Sequence, residues 1–364
     1  MASLIDLPNE LLKRVVDHVA VTDNTGLFVS DHLLNLILSH SHFFLLAEDY
    51  VVKHKEHLKY RFVVIGHAED GQDSEWLKRR IYSQPLDLLL LIHEDPSIVA
   101  YIRSLRYQVR PDFDKPEVSA EVFESTYAAA RHLVSFAGFI GTGYSTQDYT
   151  HRILHIWAEQ VALQDPLIGS IILLSLLPRL ECLSLQCCEH GWFNNIGMLT
   201  SKIRRRTDAF SRSLQDPGSL FMPLANLERL QLNGVHLLSD ALSYFTGLPK
   251  LAEVIIGQHE YILATGFAER TGIKTIIMTE CHCHRANVLK DLLVLFPGLE
   301  RLICYCTGKL IGRREKIYRA LIGDREIQER LKSMDMQMSF ARVEKGCGFA
   351  FKRPESLVIQ EPSK

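Results

Sequence analysis

The sequence lacks a stretch long and apolar enough to cross a membrane. Its most apolar runs, residues 86–92 and 168–177, are far shorter than the ~20 residues that a membrane span requires. Residues 1–12 also lack the basic start, apolar centre and small-residue cleavage site of a secretory signal. We therefore expect no membrane partner and an intracellular protein, located in the cytoplasm, the nucleus or both.

An excess of charge of one sign is also absent. The 364 residues contain 41 Lys and Arg against 43 Asp and Glu, so the chain has no basic surplus for phosphate contacts. Nucleic acid is thus not expected as the main partner. Eight cysteines without a secretory signal predict reduced thiols and no structural disulfide. The hydrophobic fraction of 47% is that of a globular protein with a real core.

Catalytic signatures are missing as well. The sequence contains no G-x-S-x-G elbow, no H-E-x-x-H helix and no phosphate-binding loop, so we predict no catalytic residues and no cofactor. The densest group of potential metal ligands is Cys281-His282-Cys283-His284 with Cys304 and Cys306. A C-x-C spacing does not favour four ligands converging on zinc, and we predict no metal site. An enzyme on an unrecognised fold would require a convergent polar site that no motif here indicates.

The amino-terminal residues predict a short helical module. Pro8 and Glu10 suit the first turn of a helix, which the apolar spacing continues to about Ala20. Its apolar positions are Leu11, Leu12, Val15, Val16 and Val19. A second apolar stretch follows, with predicted buried positions Leu33, Leu34, Ile37, Leu38, Phe44, Leu45 and Tyr50. A unit of about 50 residues is marginal alone, so we expect another surface to cover part of it.

Residues 4–58 resemble an F-box. The resemblance is carried by Leu7-Pro8-X-Glu10-Leu11-Leu12-X-X-Val15, by Leu33-Leu34-Asn35-Leu36 and by Phe43-X-X-Leu46-Ala47. It implies three helices that bind the Skp-type adaptor of a cullin-RING ubiquitin ligase. The adaptor-binding residues that it implies are Leu7, Pro8, Leu11, Leu12, Val15, Leu33, Leu36 and Leu38. The alternative is an ordinary helical cap on a repeat domain, which uses the same apolar periodicity.

A Leu-x-x-Leu-x-Leu template recurs along the rest of the chain. Its occurrences begin at Leu180, Leu227, Leu251, Ile273 and Leu299, at intervals of 47, 24, 22 and 26 residues. Leucine-rich repeats have 20 to 29 residues, and the first interval equals about two units. Helical patterns at 237–245 and 288–296 and the cysteines Cys188 and Cys281 suit the same class. Residues 102–107 are a candidate first repeat, and residues 88–107 resemble F-box leucine-rich repeat proteins of filamentous fungi.

The predicted fold is therefore α/β, a short all-helical F-box module followed by an irregular leucine-rich repeat solenoid with parallel strands and flanking helices. Helices are also expected over 120–137 and 146–163, as an insertion or as degenerate repeats. The expected segments are an F-box module at 1–58, a linker with the candidate first repeat at 59–116, helices at 117–166, repeats at 167–308, and a capping helix with a tail at 309–364.

Alternation along each strand predicts a surface for a protein partner. If the template leucines point inward, the residues between them line the open face of the sheet. We predict a substrate-binding surface of Arg229, Gln231, Glu253, Ile255, Ile277, Arg301, Ile303 and Tyr305. The alternative is that the chain's own carboxy-terminal segment covers the three isoleucines.

The F-box resemblance, together with the repeats, therefore implies a noncatalytic substrate receptor of a Skp-cullin-F-box ubiquitin ligase, acting in ubiquitin-dependent protein degradation. It would bind the adaptor through its amino-terminal helices and a protein substrate through its repeats. The alternative is a leucine-rich repeat scaffold for protein interactions that has no link to ubiquitination.

Overall fold

A computed structural model describes the following residues: 4, 7–20, 31–66, 80–108, 118–136, 147–177, 179–186, 224–233, 245, 248–257, 272–279, 293, 296–306, 323–334, 337–343 and 346–352. The chain divides into two compact units. The first comprises Met1–Leu105, Asp114–Leu180 and Arg205–Leu224, and the second comprises Arg106–Phe113, Glu181–Arg204 and Ala225–Lys364. The expected limits of the five domain segments stay predictions.

The first unit begins with four helices: α1 (Asn9–Ala20), α2 (Asp31–Ser39), α3 (Ser41–Leu46) and α4 (Glu48–His57). The first helix ends at Ala20 as predicted, and it begins at Asn9, one residue after Pro8, which was predicted to lie in its first turn. The N–H groups of Leu11 and Leu12 donate to the Pro8 carbonyl at 2.9 and 3.0 Å, so the helix closes its first turn directly after the proline.

The second apolar stretch is divided at His40. The backbone of His40 is extended (φ −160°, ψ 138°), and its side chain accepts a hydrogen bond from the His42 N–H at 3.1 Å. This side-chain cap ends one helix and begins the next at Ser41. The stretch therefore forms three short helices.

The core of these helices is built from six buried apolar side chains. The buried members are Leu12, Val16, Leu33, Ile37, Phe43 and Ala47. Because the helical phase restarts after His40, the next apolar positions along the chain point outward. The prediction that Phe44 and Leu45 are buried is therefore wrong, since they are 46% and 67% exposed. Leu38, which precedes the break, was also predicted to be buried and is 83% exposed.

Two strands and a helix follow in the first unit, β1 (Phe62–Ile65), β2 (Arg80–Tyr82) and α5 (Pro85–Glu94), and strand β3 (Ser104–Gln108) begins there. Their sheet order is β2-β1-β3, with β1 and β2 parallel. A 3-10 helix, Pro96–Ala100, leads from α5 to β3. The strand predicted within residues 102–107 is therefore present, and its residues 106–108 belong to the second unit.

Three further helices of the first unit are α6 (Ala120–Phe136), α7 (Gln147–Ala162) and α8 (Pro166–Leu176). The first two confirm the helices predicted over 120–137 and 146–163. They pack on each other, and α8 packs on α5. Gly169 allows this close approach, because a Cβ atom there would lie 3.1 Å from the Cβ of Pro85.

The second unit contains one strand for each recurrence of the leucine template. These are β4 (Cys182–Gln186), β5 (Arg229–Asn233), β6 (Glu253–Gly257), β7 (Thr275–Thr279) and β8 (Arg301–Cys306). All five are parallel and hydrogen-bonded in sequence order. Their second and fourth residues are buried from β4 to β7, as the alternation predicts.

The same hydrogen-bond pattern opens each of these strands. The carbonyl before a strand accepts the N–H groups of two consecutive residues of the next template. Glu181, Glu228, Ala252 and Lys274 each accept two such bonds of 2.8 to 3.0 Å. In the first unit, the Arg61 carbonyl accepts bonds from Arg103 and Ser104 in the same way. The pairing of β1 with β3 therefore follows the geometry of the later strands.

The carboxy-terminal part differs from the prediction. Helix α9 (Arg325–Ser333) overlaps the end of the capping helix predicted over 309–332 and extends one residue beyond it, while residues 309–322 are outside the described residues. Strands β9 (Gln337–Val343) and β10 (Gly346–Lys352) then form an antiparallel hairpin, and β10 pairs antiparallel with β8. The hairpin adds two strands to the sheet that were not predicted.

The predicted α/β class with parallel strands and helices is confirmed. The helical patterns at 237–245 and 288–296 lie mostly outside the described residues, as do Cys188 and Cys281. Within the described ranges, no helix combines the length and the apolarity needed to cross a membrane.

Candidate functional site

The predicted adaptor-binding residues divide into exposed and buried groups. Leu7, Leu11 and Leu38 are 38%, 43% and 83% exposed, and Pro8 is exposed beside them in the sequence. Val15 and Leu36 are half-buried. The exposed members of the predicted adaptor-binding set are therefore Leu7, Pro8, Leu11 and Leu38.

Leu12 and Leu33 do not belong to this exposed group. Both are 0% exposed and pack in the core that α1 shares with α2 and α3. A partner cannot reach these side chains while the helices stay folded. Their predicted role as direct adaptor contacts stays a prediction, and their burial counts against it, because the inward face of each helix is already occupied.

Polar contacts hold α1 on the later helices of the module. The Lys13 ammonium donates to the Leu46 carbonyl at 2.9 Å, and the Tyr50 hydroxyl donates to the Asp17 carboxylate at 3.0 Å. At the start of α1, the Asn9 side-chain oxygen lies 2.9 Å from the His42 ring nitrogen Nε2. These bonds fix the orientation in which Leu11 faces outward.

Exposed apolar side chains are concentrated in the N-terminal helices. Of the thirteen large hydrophobic side chains exposed among the described residues, eight lie within residues 4–58. The ones that sequence reasoning did not assign to a partner are Leu4, Phe44, Leu45, Val52 and Leu58. Only the helix break at His40 turns Phe44 and Leu45 outward, and periodicity alone did not reveal that break.

The second candidate surface is the sheet face of β4 to β8, meaning the side that carries residues between the buried template positions. The register brings Gln231, Ile255, Ile277 and Ile303 into one row across four strands. Ile255 and Ile277 are half-buried, as an open sheet face requires. The predicted alignment of the three isoleucines is confirmed.

Ile303 is not open, because it is only 3% exposed. The expectation that it lies on an accessible surface is wrong. Strand β10 pairs along β8 and sets Ala350 opposite Ile303, so the carboxy-terminal hairpin occupies the side of the sheet where β8 would otherwise be the edge. The side chain of Tyr305 lies outside the described residues.

One pair of opposite charges lies on the sheet face. Arg229 and Glu253, adjacent in the register of β5 and β6, form a close ion pair, while Arg301 lies exposed on β8. Just before β7 and β8 begin, the Lys274 ammonium lies 3.2 Å from the Glu300 carboxylate. The mix of paired charges and half-buried isoleucines is typical of surfaces that bind proteins.

Amide side chains form a network that sequence reasoning missed. The Gln186 side-chain oxygen on β4 accepts hydrogen bonds from Arg106 at 3.0 Å and from Gln108 at 2.7 Å, both on β3. Gln186 is also in register with Asn233 of β5. Nearby, burial raises the pKa of the Cys182 thiol, which stays protonated at neutral pH.

A buried histidine cluster in the first unit was also not predicted. His57 is 5% exposed, and its Nε2 atom lies 2.8 Å from the Asp95 carboxylate. Burial alone raises the pKa of Asp95. The hydrogen bond from Ser97 and the interactions with Lys53 and His57 outweigh that effect and hold the pKa below its ordinary value.

His54, one helical turn before His57, belongs to the same cluster. Its Nδ1 atom lies 3.0 Å from the Tyr101 hydroxyl. Burial raises the pKa of that hydroxyl to about 12, so it carries its proton at neutral pH and donates to His54. Burial, followed by the neighbouring His57, lowers the pKa of His54. The neutral form of His54 is therefore favoured.

No group of three His, Cys, Asp or Glu side chains among the described residues is arranged to hold a metal ion. The Cys281 to His284 run lies outside those residues, as do the side chains of Cys304 and Cys306. No protein-family model, curated protein or solved structure matches this chain.

Proposed function

We propose that this chain is the substrate-recognition subunit of a Skp-cullin-F-box ubiquitin ligase. The N-terminal helices, as an F-box module, bind a Skp-type adaptor. The strand repeats, as an irregular leucine-rich repeat solenoid, bind a protein substrate. The chain is noncatalytic, and it acts by holding lysines of the substrate near ubiquitin that other subunits have activated.

The observation that carries this proposal is the concentration of exposed apolar side chains on the N-terminal helices. A soluble protein seldom leaves so many large apolar groups uncovered on one small module unless a partner covers them. The exposed residues include Leu7, Pro8, Leu11 and Leu38. These are also residues through which the F-box resemblance implies adaptor contact.

The sheet face supports the second half of the proposal. Arg229, Glu253, Ile255 and Ile277 combine a paired charge with half-buried apolar side chains on neighbouring strands. Protein interfaces have an apolar centre with a polar rim. Ile303 is left out of the proposed surface because it is buried.

Co-expression with a Skp-type adaptor, followed by size-exclusion chromatography, tests the proposal. We expect the natural chain to elute with the adaptor in a one-to-one complex. The variant Leu7→Ala, Pro8→Ala, Leu11→Ala is expected to lose the complex, since it removes exposed apolar side chains. Far-ultraviolet circular dichroism checks that the variant keeps its helices.

A matched control is available on α7. Ile156 is 44% exposed, close to the 43% of Leu11, but it lies outside the N-terminal helices. Ile156→Ala should leave the complex intact. If the natural chain associates with no adaptor tested, the receptor function is refuted and the chain is a repeat scaffold without a link to ubiquitin.

A further inference from the structure

The contacts between α4 and residues 95–101 form a compact polar joint inside the first unit. His54 and His57 are three residues apart on α4, so they project from the same side of the helix. They meet Tyr101 and Asp95, which are 47 and 38 residues further along the chain. The joint therefore connects the last N-terminal helix with the segment that leads into β3.

Burial makes the His57–Asp95 bond difficult to break. A carboxylate only accepts hydrogen bonds, so Nε2 of His57 carries the hydrogen and donates it to Asp95. The other ring nitrogen, Nδ1, is buried and has no hydrogen-bond partner in the described part of the chain. The Asp95 bond is thus the only polar anchor of this ring there. Separating the pair would leave a second polar atom of His57 unsatisfied.

Aromatic rings enclose the same histidine. The ring centres of Tyr101 and Tyr60 lie 5.0 and 6.1 Å from the centre of the His57 ring. Both tyrosines are buried. Because close-packed side chains favour a small number of discrete arrangements, this packing selects one position of α4 over neighbouring ones.

Asp95 is itself held from two sides. The Ser97 backbone N–H and hydroxyl both donate to its Oδ1 atom, which caps the 3-10 helix, and the Lys53 ammonium lies 3.6 Å from the same oxygen. The Asp95 carboxylate therefore caps the 3-10 helix of its own segment and also binds the Lys53 and His57 side chains of α4. Its position cannot change without loss of contacts on both sides.

We propose that His54, His57, Asp95 and Tyr101 form a locked joint, which fixes the N-terminal helices relative to α5 and the start of β3. The joint does not depend on adaptor binding. In a ligase receptor it would limit the positions that the adaptor-binding helices can adopt relative to the first strands of the chain.

Distance measurement by double electron–electron resonance on the free chain tests the joint. Spin labels are attached at Arg14 of α1 and Glu94 of α5, which are both exposed. Unnatural amino acids carry the labels, so the eight native cysteines stay unchanged. The natural chain should give a single narrow distance peak.

His57→Leu replaces the imidazole with an apolar side chain of similar size and removes the hydrogen-bond donor to Asp95. This variant should no longer give a single narrow peak. Asp95→Asn, which replaces the charged acceptor, should broaden it. His57→Gln places an amide nitrogen near the position of Nε2, so the narrow peak should return. The matched control His155→Gln changes an exposed histidine on α7 and should leave the peak unchanged.

Narrow peaks in both His57→Leu and Asp95→Asn, equal to that of the natural chain, would overturn the joint. Broadening of the peak in the His155→Gln control, to the same extent as in His57→Leu, would also overturn it. If His57→Leu does not fold, Tyr101→Phe takes its place. Tyr101→Phe deletes only the hydroxyl that is bonded to His54. If the peak is unchanged in both Tyr101→Phe and Asp95→Asn, the proposal is refuted. None of these results depends on whether an adaptor binds.

Discussion

Leu11 and Leu12 are adjacent on α1, but truncation to alanine should strongly lower stability only at Leu12. Leu12 is 0% exposed and Leu11 is 43% exposed. Leu12→Ala removes a buried side chain and leaves a cavity, which costs about 2–5 kcal/mol. Leu11→Ala changes a surface position, where substitutions usually alter stability by less than about 0.5 kcal/mol.

Hydrogen exchange followed by mass spectrometry measures this difference locally. A free-energy loss of about 2–5 kcal/mol should accelerate exchange of amides in Asn9–Ala20 by roughly 30-fold to a few thousand-fold in Leu12→Ala. Leu11→Ala should leave the exchange of the same segment close to that of the natural chain. Equal acceleration in both variants would refute the assignment of one residue to the core and the other to the surface.

Four further results are expected. Because burial lowers the pKa of His54, the unfolded state binds a proton at higher pH than the folded state does. The stability of the first unit should therefore fall as pH drops from 7 toward 5. Thermal unfolding should show a smaller fall in His54→Gln. Because the pKa of Asp95 is lowered, its carboxylate stabilises the fold at every pH above the ordinary pKa of an aspartate. This stabilisation is lost as pH falls below about 4. Asp95→Asn should remove that loss of stability from the pH profile of thermal unfolding. Ile303→Ala should destabilise the second unit by about 2–5 kcal/mol and half-buried Ile277→Ala by clearly less, and equal losses in urea unfolding would contradict the burial of Ile303. Burial raises the pKa of Cys182, so its alkylation at neutral pH should be slow until the chain is unfolded, and rapid labelling in the native state would contradict this.

Regular periodicity predicted the parts of the fold that depend on local patterns. The template beginning at Leu180 specified which residues of β4 to β7 point inward, because alternation along a strand is fixed by its geometry. The limits of α1, α6 and α7 followed from apolar spacing and from helix-ending residues. These features need only neighbours in the sequence.

Features that depend on distant contacts could not be predicted in this way. The break at His40 is made by a side-chain cap, and it reversed the expected burial of Phe44 and Leu45. The burial of Ile303 follows from a hairpin that returns to pair with β8. The His57–Asp95 bond joins residues 38 positions apart, and no local pattern marks either one as a partner of the other.

The candidate adaptor surface was predicted in part for the same reason. Resemblance identifies which positions matter for a module but does not separate the residues that build its core from those that contact a partner. Leu11 and Leu12 carry equal weight in the sequence motif. Only the packing of α1 on α2 and α3 separates them.

The most direct test of the receptor function is the affinity of the purified chain for a purified Skp-type adaptor, measured by isothermal titration calorimetry. Leu38→Asp introduces a charge at a position that is 83% exposed, so the fold should tolerate it, while Ile156→Asp makes the same kind of change on α7. We predict that the natural chain and Ile156→Asp bind with equal affinity and that Leu38→Asp binds much more weakly. Equal affinity in all three proteins, or no binding by the natural chain, would contradict the proposed adaptor surface.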